Sequence, residues 1–274
     1  RLHANDYKVS TIDYDSREGG ILIHKALQLF WGKHKTRSVL KNLITSNMLK
    51  GELQKKVKEA IQGVNMQVIK QHHFMTMEQE RTVDLLLDWM DQELLRPDFE
   101  VKYIEKNELI IIGNLRLNLR VDRIDITSEG EQILIDYKTG STNTNTWFME
   151  RIQDPQLPLY TIKSSPTAIA FAHISKGSLK WKSIWDPIIP NPFPEKSKVK
   201  IPLNIEEEIG WPNWSSLLKF WEIKLKELAD NFMEGQIVTN PINQDETCRN
   251  CNYAMLCRIG ENASDVNSLE NIDV

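Results

Sequence analysis

The first third of the chain places apolar residues at helical spacing. One face of a predicted helix over about residues 16–32 carries Gly20, His24, Leu27 and Trp31. The same period continues beyond it, with breaks predicted near Gly51 and Gly63, until Pro97 ends the pattern. The pattern therefore predicts a helical N-terminal region in which residues 33–98 form an insertion.

From Phe99 the pattern changes to the two-residue period of strands. Three β-like runs follow, over about residues 99–106, 108–124 and 132–138. The middle run is expected to bend or split near Gly113. Residues 167–174 have the apolar composition of a buried strand.

The segments around this last strand complete the predicted order of elements. A helix is predicted over about 146–163 and another over about 213–234, whereas the Pro-rich residues 185–212 are predicted to be irregular. This order predicts an α/β fold with a largely antiparallel meander and one crossover helix. We expect one domain over residues 1–274.

Composition narrows the class of protein. The chain has 274 residues, of which 41% are hydrophobic and 26% charged, which is typical of a soluble globular protein. The apolar runs are too short to span a membrane, so we expect a cytoplasmic protein without a membrane partner. The net charge of −4 excludes a protein that binds nucleic acid through bulk positive charge, but it leaves a local basic groove open.

Candidate chemistry lies at the ends of two predicted strands. Asp136 and Lys138 are two residues apart, so their side chains point to one face of the strand. If a turn at residues 128–130 pairs this strand with the preceding one, Asp122 comes close to Asp136. Adjacent carboxylates repel each other unless a proton or a cation separates them, and Mg²⁺ favours such oxygen ligands. A structural ion pair between Asp136 and Lys138 is the alternative.

A bound metal would give these residues a hydrolytic role. It can lower the pKa of a bound water and polarise a phosphoryl oxygen. Lys138 would then orient the water, help to deprotonate it, or stabilise negative charge in the transition state.

Four segments together resemble the PD-(D/E)XK nucleases, and specifically the RecB-type nuclease domain found in AddB and in CRISPR-associated RecB-like exonucleases. They are residues 19–24, 122–125, 135–140 and 156–160. The resemblance covers about residues 16–165 and the cysteine-bearing tail. It implies a restriction-endonuclease-like core, in which helices flank a mixed sheet, with helical insertions.

The resemblance also implies roles for individual residues. Mg²⁺ or Mn²⁺ would be held by His24, Asp122 and Asp136. Catalytic roles fall to Asp122, Asp136, Lys138, Gln156 and Tyr160. Gln156 and Tyr160 match the Gln-x-x-x-Tyr signature of the RecB type, whose helix packs over the active site.

Contacts with DNA need cations near the site. Arg123 lies within the motif, and we expect it to contact DNA together with Gln156 and Tyr160. Trp147 and Phe148 follow the predicted active-site strand, where they would stack on an unpaired base or belong to the core.

Several of these residues have simpler interpretations. His24 would be a core histidine, and Gln156 and Tyr160 would form an ordinary half-buried helix face. Glu105 is either a further acidic group near the site or a surface charge. Asp125 is expected to support the bend or Arg123 rather than to bind metal.

The three cysteines of the chain lie in the predicted tail, residues 236–274. Cys248, Cys251 and Cys257 have the spacing of metal ligands, although zinc and iron–sulfur sites use four. Resemblance to AddB implies a [4Fe-4S] cluster whose fourth cysteine lies upstream of the first motif. Because the chain begins at Arg1, we expect that cysteine in a missing upstream segment. The alternatives are another ligand, an empty site or three free thiols.

These patterns predict a metal-dependent deoxyribonuclease. We expect phosphodiester hydrolysis, exonucleolytic on DNA ends or single strands, in DNA repair or recombination and alongside a helicase-like partner or fused region. The alternative is a non-catalytic DNA-binding or scaffold module of a helicase–nuclease complex.

Overall fold

The computed structural model describes residues 16–64, 72–199, 213–236, 238–249, 251, 253–257 and 259. Residues 1–15, residues 200–212 and the part of the predicted tail after residue 259 lie outside the described residues. Among the helices that are described, none combines the length and apolar composition that crossing a membrane requires.

Helices begin and end the described chain, and a five-stranded sheet lies between them. The leading helices are α1 (Ser16–Lys33), α2 (Arg37–Thr45), α3 (Leu49–Gly63) and α4 (His72–Leu94). The strands are β1 (Phe99–Ile112), β2 (Leu115–Thr127), β3 (Gln132–Lys138), β4 (Ala168–Ser175) and β5 (Ser178–Trp185). The remaining helices are α5 (Gln156–Ser164), α6 (Trp214–Met233), α7 (Gln244–Arg249) and α8 (Ala254–Cys257).

Local chemistry sets the helix boundaries. The Thr36 hydroxyl caps α2 by accepting a hydrogen bond from the Val39 N–H at 3.3 Å. Asn47 takes a left-handed backbone conformation, which separates α2 from α3. The predicted break near Gly51 is therefore wrong, because the chain turns at 46–48, whereas the break at Gly63 is confirmed.

The sheet has the order β1-β2-β3-β4-β5. The first three strands form an antiparallel meander, β4 runs parallel to β3 after the crossover through α5, and β5 is antiparallel to β4. Gly113 turns the chain between β1 and β2 with a φ of 55°, which splits the predicted run 108–124. The meander, the crossover and the mixed α/β sheet flanked by helices are confirmed.

Helices cover both faces of the sheet and create two apolar cores. Ile133, Ile135 and Tyr137 of β3 pack with residues of α1, α3 and α4. Leu134 packs on the opposite face with residues of α5 and α6. The predicted alternation along β3 is thus confirmed, and it fixes the direction in which Asp136 points.

Two elements differ from the sequence prediction. The helix predicted over 146–163 is a 3-10 turn, Thr144–Phe148, followed after Pro155 by the shorter α5. Strand β5 was not predicted. It lies at an edge of the sheet, where Lys180 and Lys182 alternate with Leu179 and Trp181 until Ile184 breaks the two-residue period.

A buried ionic cluster joins the end of α4 to the sheet. It consists of Glu93, Arg96, Arg123 and Asp125, each almost completely inaccessible to solvent. Arg123 donates from Nε to Asp125 Oδ1 at 2.6 Å and from Nη1 to Glu93 Oε1 at 2.7 Å. Arg96 donates from Nη1 to Asp125 Oδ2 at 2.8 Å. Two guanidinium groups thus balance two carboxylates.

Aromatic rings enclose this ionic cluster. The Arg123 guanidinium carbon lies 4.2 Å from the centre of the Trp31 ring, and that of Arg96 lies 4.3 Å from the centre of the Phe99 ring. Burial by itself lowers the pKa of Arg123, but the carboxylates of Asp125 and Glu93 outweigh it and raise the pKa well above its usual value. The guanidinium therefore stays charged inside the core.

Removing one member of the ionic cluster should destabilise the fold strongly. Arg123→Met leaves two buried carboxylates facing Arg96 alone, and such an uncompensated charge costs about 3–5 kcal/mol. Urea unfolding measures this loss. Arg116→Met is the matched control, because Arg116 is an exposed arginine of the same strand. The control should change the free energy of unfolding by no more than about 0.5 kcal/mol. Equal stability of the two variants would contradict the prediction.

Candidate active site

The candidate site lies where β2 and β3 separate. Their ladder ends at the pair Arg123–Ile135, so the next residues, Asp122 and Asp136, have no partner across the ladder. The Asp122 carboxylate occupies this gap, where its Oδ2 accepts a hydrogen bond from the Tyr137 N–H at 2.9 Å. A side chain thus replaces the missing strand pairing and places a buried carboxylate at the edge of the gap.

Helix α1 supplies His24 to the same carboxylate. His24 Nδ1 lies 3.3 Å from Asp122 Oδ2, and its ring meets the edge of Tyr137 at a centroid distance of 5.7 Å. Burial alone would lower the pKa of His24, but Asp122 and the more distant Asp136 raise it overall. The His24 side chain is 31% exposed, so it is not enclosed in the core as the simpler interpretation required.

One turn earlier on α1, Gly20 allows the helix to approach the end of β3. A methyl group on Gly20 would stand 2.8 Å from Thr139 Oγ1, too close for any side chain at this position without movement of Thr139. The glycine therefore sets the distance between α1 and the strand that carries Asp136.

Asp136 and Lys138 point to one face of β3, as predicted. Lys138 Nζ lies 3.0 Å from Asp136 Oδ2. Burial, and next the charge of Asp122, raises the pKa of Asp136 to about 7. Burial alone would lower the pKa of Lys138, but the carboxylates of Asp136 and Asp122 outweigh it, so the pKa of Lys138 is raised.

Glu105 joins the site from β1. One ligand atom each from His24, Glu105 and Asp122 lies within 4.8 Å of the others. Arg120 Nε pairs with Glu105 Oε2 at 2.6 Å. Burial raises the pKa of Glu105, with Arg120 acting against this rise and Asp122 adding to it. The open question about Glu105 is thereby decided in favour of a position at the site.

Helix α5 covers the sheet face that carries Asp136. Tyr160 is buried, and its burial raises the pKa of the hydroxyl, while the neighbouring Gln156 acts against this rise. The charges of Asp136 and Asp122 also raise the pKa of Tyr160. The structure therefore brings both motif residues of α5 to the site.

Arg123 is not at the site. Its guanidinium is fully buried in the core between the sheet and α1, and it is hydrogen-bonded to Asp125, Glu93 and the Tyr137 hydroxyl. The expectation that Arg123 contacts DNA is corrected, because no group of this side chain reaches solvent. Asp125 supports Arg123, which is the structural role expected for it.

The other candidates lie away from the site. Trp147 and Phe148 are buried in the core between the sheet and α6, so the core alternative holds and base stacking does not. Cys248, Cys251 and Cys257 form no disulfide bond. The three cysteines leave a four-ligand cluster one cysteine short, and the iron–sulfur site stays a prediction.

The residues present suit a divalent cation. Two buried carboxylates lie close enough for one to raise the pKa of the other, and imidazole and carboxylate donors converge beside them. Neighbouring carboxylates of this kind are stabilised by a cation between them. Hard cations such as Mg²⁺ and Mn²⁺ match this donor set of oxygen and imidazole nitrogen.

Comparison with known proteins gives a family and distant solved structures. No curated protein matches the sequence. The solved structure of SSO0001 aligns with 87% of this chain and 84% of its own, at 12% sequence identity and a TM-score of 0.32, which carries no argument about function.

The family match rests on nearly the whole chain. The model of the PD-(D/E)XK nuclease superfamily matches residues 2–258, which include the gap between β2 and β3 and every side chain that meets there. The mixed sheet flanked by helices is consistent with the fold of that family. The chain therefore belongs to the PD-(D/E)XK nuclease superfamily.

Proposed function

We propose that the protein is a metal-dependent nuclease that hydrolyses phosphodiester bonds in DNA. The observation that carries this proposal is the position of Asp122 and Asp136 side by side in the gap between two strands, with Lys138 on the face of Asp136. Two buried carboxylates and a lysine are the groups that phosphoryl transfer assisted by a metal requires.

The cation would be held by His24, Asp122 and Asp136, with Glu105 close enough to contribute a further oxygen. A bound Mg²⁺ or Mn²⁺ would polarise a phosphoryl oxygen of the substrate and lower the pKa of a water molecule. The chain's own part is to orient these ligands. The hydrogen bond from the Tyr137 N–H fixes the Asp122 carboxylate, and Asp122 in turn fixes the imidazole of His24.

Lys138 acts as a cation in this proposal. Because its pKa is raised, the ammonium group keeps its proton at neutral pH, which favours charge stabilisation over proton abstraction. A protonated lysine beside the scissile phosphate would stabilise the negative charge that grows on the phosphoryl oxygens. Gln156 and Tyr160 would shape the site from α5 and contact the substrate.

The assignment to the RecB type within the superfamily rests on the spacing of residues in the sequence. The Gln156-x-x-x-Tyr160 spacing and the three cysteines support the RecB type. For that type we propose exonucleolytic action on DNA in repair or recombination, next to a helicase-like partner. A [4Fe-4S] cluster would require a fourth ligand in addition to the three cysteines.

The second candidate is a DNA-binding scaffold without activity. Some members of the superfamily are inactive, so the fold alone does not distinguish the two. Retention of the Asp136–Lys138 pair, with Asp122 near enough for its charge to act on Asp136, favours the enzyme.

Replacing Lys138 should abolish cleavage. We expect Lys138→Ala to lower the rate on labelled single-stranded or duplex DNA by about 100-fold or more, because one charge-stabilising group is lost. The assay uses Mg²⁺ or Mn²⁺, with EDTA as the metal-free control. Lys219→Ala, an exposed lysine paired with Glu222 on α6, should cleave normally. Folded, unmutated protein that neither binds Mn²⁺ nor cleaves either DNA would support the scaffold instead.

The raised pKa of Asp136 should make stability depend on pH. In EDTA the folded state holds a proton on Asp136 up to about pH 7, whereas the unfolded chain loses it near 3.8. This contribution to stability is full below pH 3.8 and is lost as the pH rises to about 7. The difference in unfolding free energy between the unmutated protein and Asp136→Asn isolates it. Taken as the value of the unmutated protein minus that of the variant, this difference should fall as the pH rises through the window. A rise would contradict the raised pKa of Asp136.

Glu105 should contribute to metal affinity. Glu105→Gln removes one charged ligand atom from the set with His24 and Asp122, so we expect the Kd for Mn²⁺ to rise at least about tenfold. Isothermal titration calorimetry measures it without relying on activity. Glu108→Gln is the matched control, because Glu108 lies on the same strand and pairs with Lys106 instead. Identical Kd values for Glu105→Gln and the control would exclude Glu105 as a ligand.

A further inference from the structure

A groove of about 600 Å³ opens beside the candidate active site. It runs between the beginning of α1, the first half of α4 and the ends of β3 and β4. The residues that matter for its chemistry are Arg17, Gly20, Arg81, Thr139, Gly140 and Lys176. None of them is among the residues to which a catalytic or metal-binding role was assigned above.

The chain connects this groove to the active site at two points. Thr139 directly follows Lys138, so the groove begins where the catalytic strand ends. Gly20 lies one helical turn before His24 on the same face of α1. A ligand in the groove therefore continues into the space above Asp122 and Asp136.

Gly20 and Thr139 meet where the groove adjoins the active site. The close approach of Gly20 to Thr139 brings the backbone of α1 down to the end of β3. Gly140, which follows, is exposed and has no heavy atom within 4 Å of the position of a Cβ. The backbone is thus accessible along this part of the groove.

Positive charge dominates the described lining of the groove. Arg17, Arg81 and Lys176 are exposed, and Glu78 is the acidic residue that faces them. Arg81 Nη1 lies 3.5 Å from Glu78 Oε2, and the arginine side chain is 57% exposed. At 3.5 Å this contact is weak, and the exposed guanidinium of Arg81 can also reach a phosphate although Glu78 is buried.

The surface next to the groove has the opposite charge. A neighbouring hollow shares Arg81 and Lys176 with the groove, but Glu80, Asp84 and Asp88 also line it. These carboxylates repel a polyanion that would cross the outer surface of α4. The charges thus favour a path along the groove toward Lys138.

We propose that this groove holds the backbone of a single nucleic-acid strand next to the scissile phosphate, with Arg17, Arg81 and Lys176 as phosphate contacts. The proposal deepens the nuclease function and rests on it. Cavities of roughly 300–1,000 Å³ hold molecules of drug size, which suits one or two nucleotides of one strand and not a double helix.

The apolar lining favours recognition of phosphates over bases. Ile23, Leu85 and Ile174 are aliphatic, and the described lining contains no aromatic ring on which a base could stack. Binding through phosphates alone does not read sequence. The groove therefore implies little sequence preference and a strong dependence on salt.

The experiment measures the affinity of a fluorescently labelled single-stranded oligonucleotide in EDTA, where metal-dependent cleavage cannot occur. The variants are Arg17→Ala, Arg81→Ala, Lys176→Ala and the triple variant, and Lys219→Ala on the opposite side of the sheet is the control. Each contact removed should reduce the slope of log affinity against log salt by about 0.7, and the triple variant should reduce it by about 2. The control should keep the original slope.

An unchanged slope in the triple variant would overturn the proposal, and so would a loss of affinity confined to duplex DNA. Arg17→Lys and Arg81→Lys keep the charges and should retain most of the slope, which separates charge loss from misfolding. Hydrolysis of bis(p-nitrophenyl) phosphate by unmutated protein with Mn²⁺ tests the proposed nuclease function separately. Absence of this hydrolysis, with oligonucleotide binding still dependent on the groove, would refute the nuclease and not the groove.

Discussion

The charge balance around Arg123 supports the architecture of the site. Its guanidinium is bonded to Asp125 and Glu93, and it stacks on Trp31 deep in the core. These contacts join α4, β2 and α1, which are far apart in sequence. A buried charge of this kind is tolerated only with all its partners in place, so the cluster requires one arrangement of these elements.

Asp122 directly precedes Arg123 on β2, so the ionic cluster also fixes the strand that carries Asp122. Asp122 occupies the gap that opens where β2 and β3 stop pairing. A structural charge and a candidate catalytic charge thus occupy adjacent positions on β2. Protein carboxylates neutralise the charge of Arg123. The charge of Asp122 instead acts on Asp136, and a bound cation can relieve the repulsion between these two carboxylates.

The proposed site and groove both depend on how closely α1 approaches the sheet. Gly20 lets the helix contact Thr139, and one turn later His24 reaches Asp122. One helix therefore carries the imidazole proposed to bind the metal and forms a wall of the proposed groove that leads to it. Substrate binding and cation binding would then share a rigid scaffold, which favours precise placement of the phosphate.

Much of the fold followed from local patterns. The period of two along β3 placed Ile135 and Asp136 on opposite faces, and the structure agrees because strand geometry leaves no other choice. The turn after β2 was predicted equally well. Strand β5 was missed because its alternation of lysines with apolar residues is short and ends at Ile184, and the length of α5 was overestimated because a 3-10 turn has nearly helical spacing.

The sequence by itself determined which residue types stand together along the chain, and with them the family, the first four strands and the shared face of Asp136 and Lys138. Only the tertiary structure decided the positions of Arg123 and Glu105. Both are charged strand residues with similar surroundings in sequence, yet one is sealed in the core and the other faces His24. The reason is that burial and partnership of a charge depend on elements distant in sequence, which no local pattern contains.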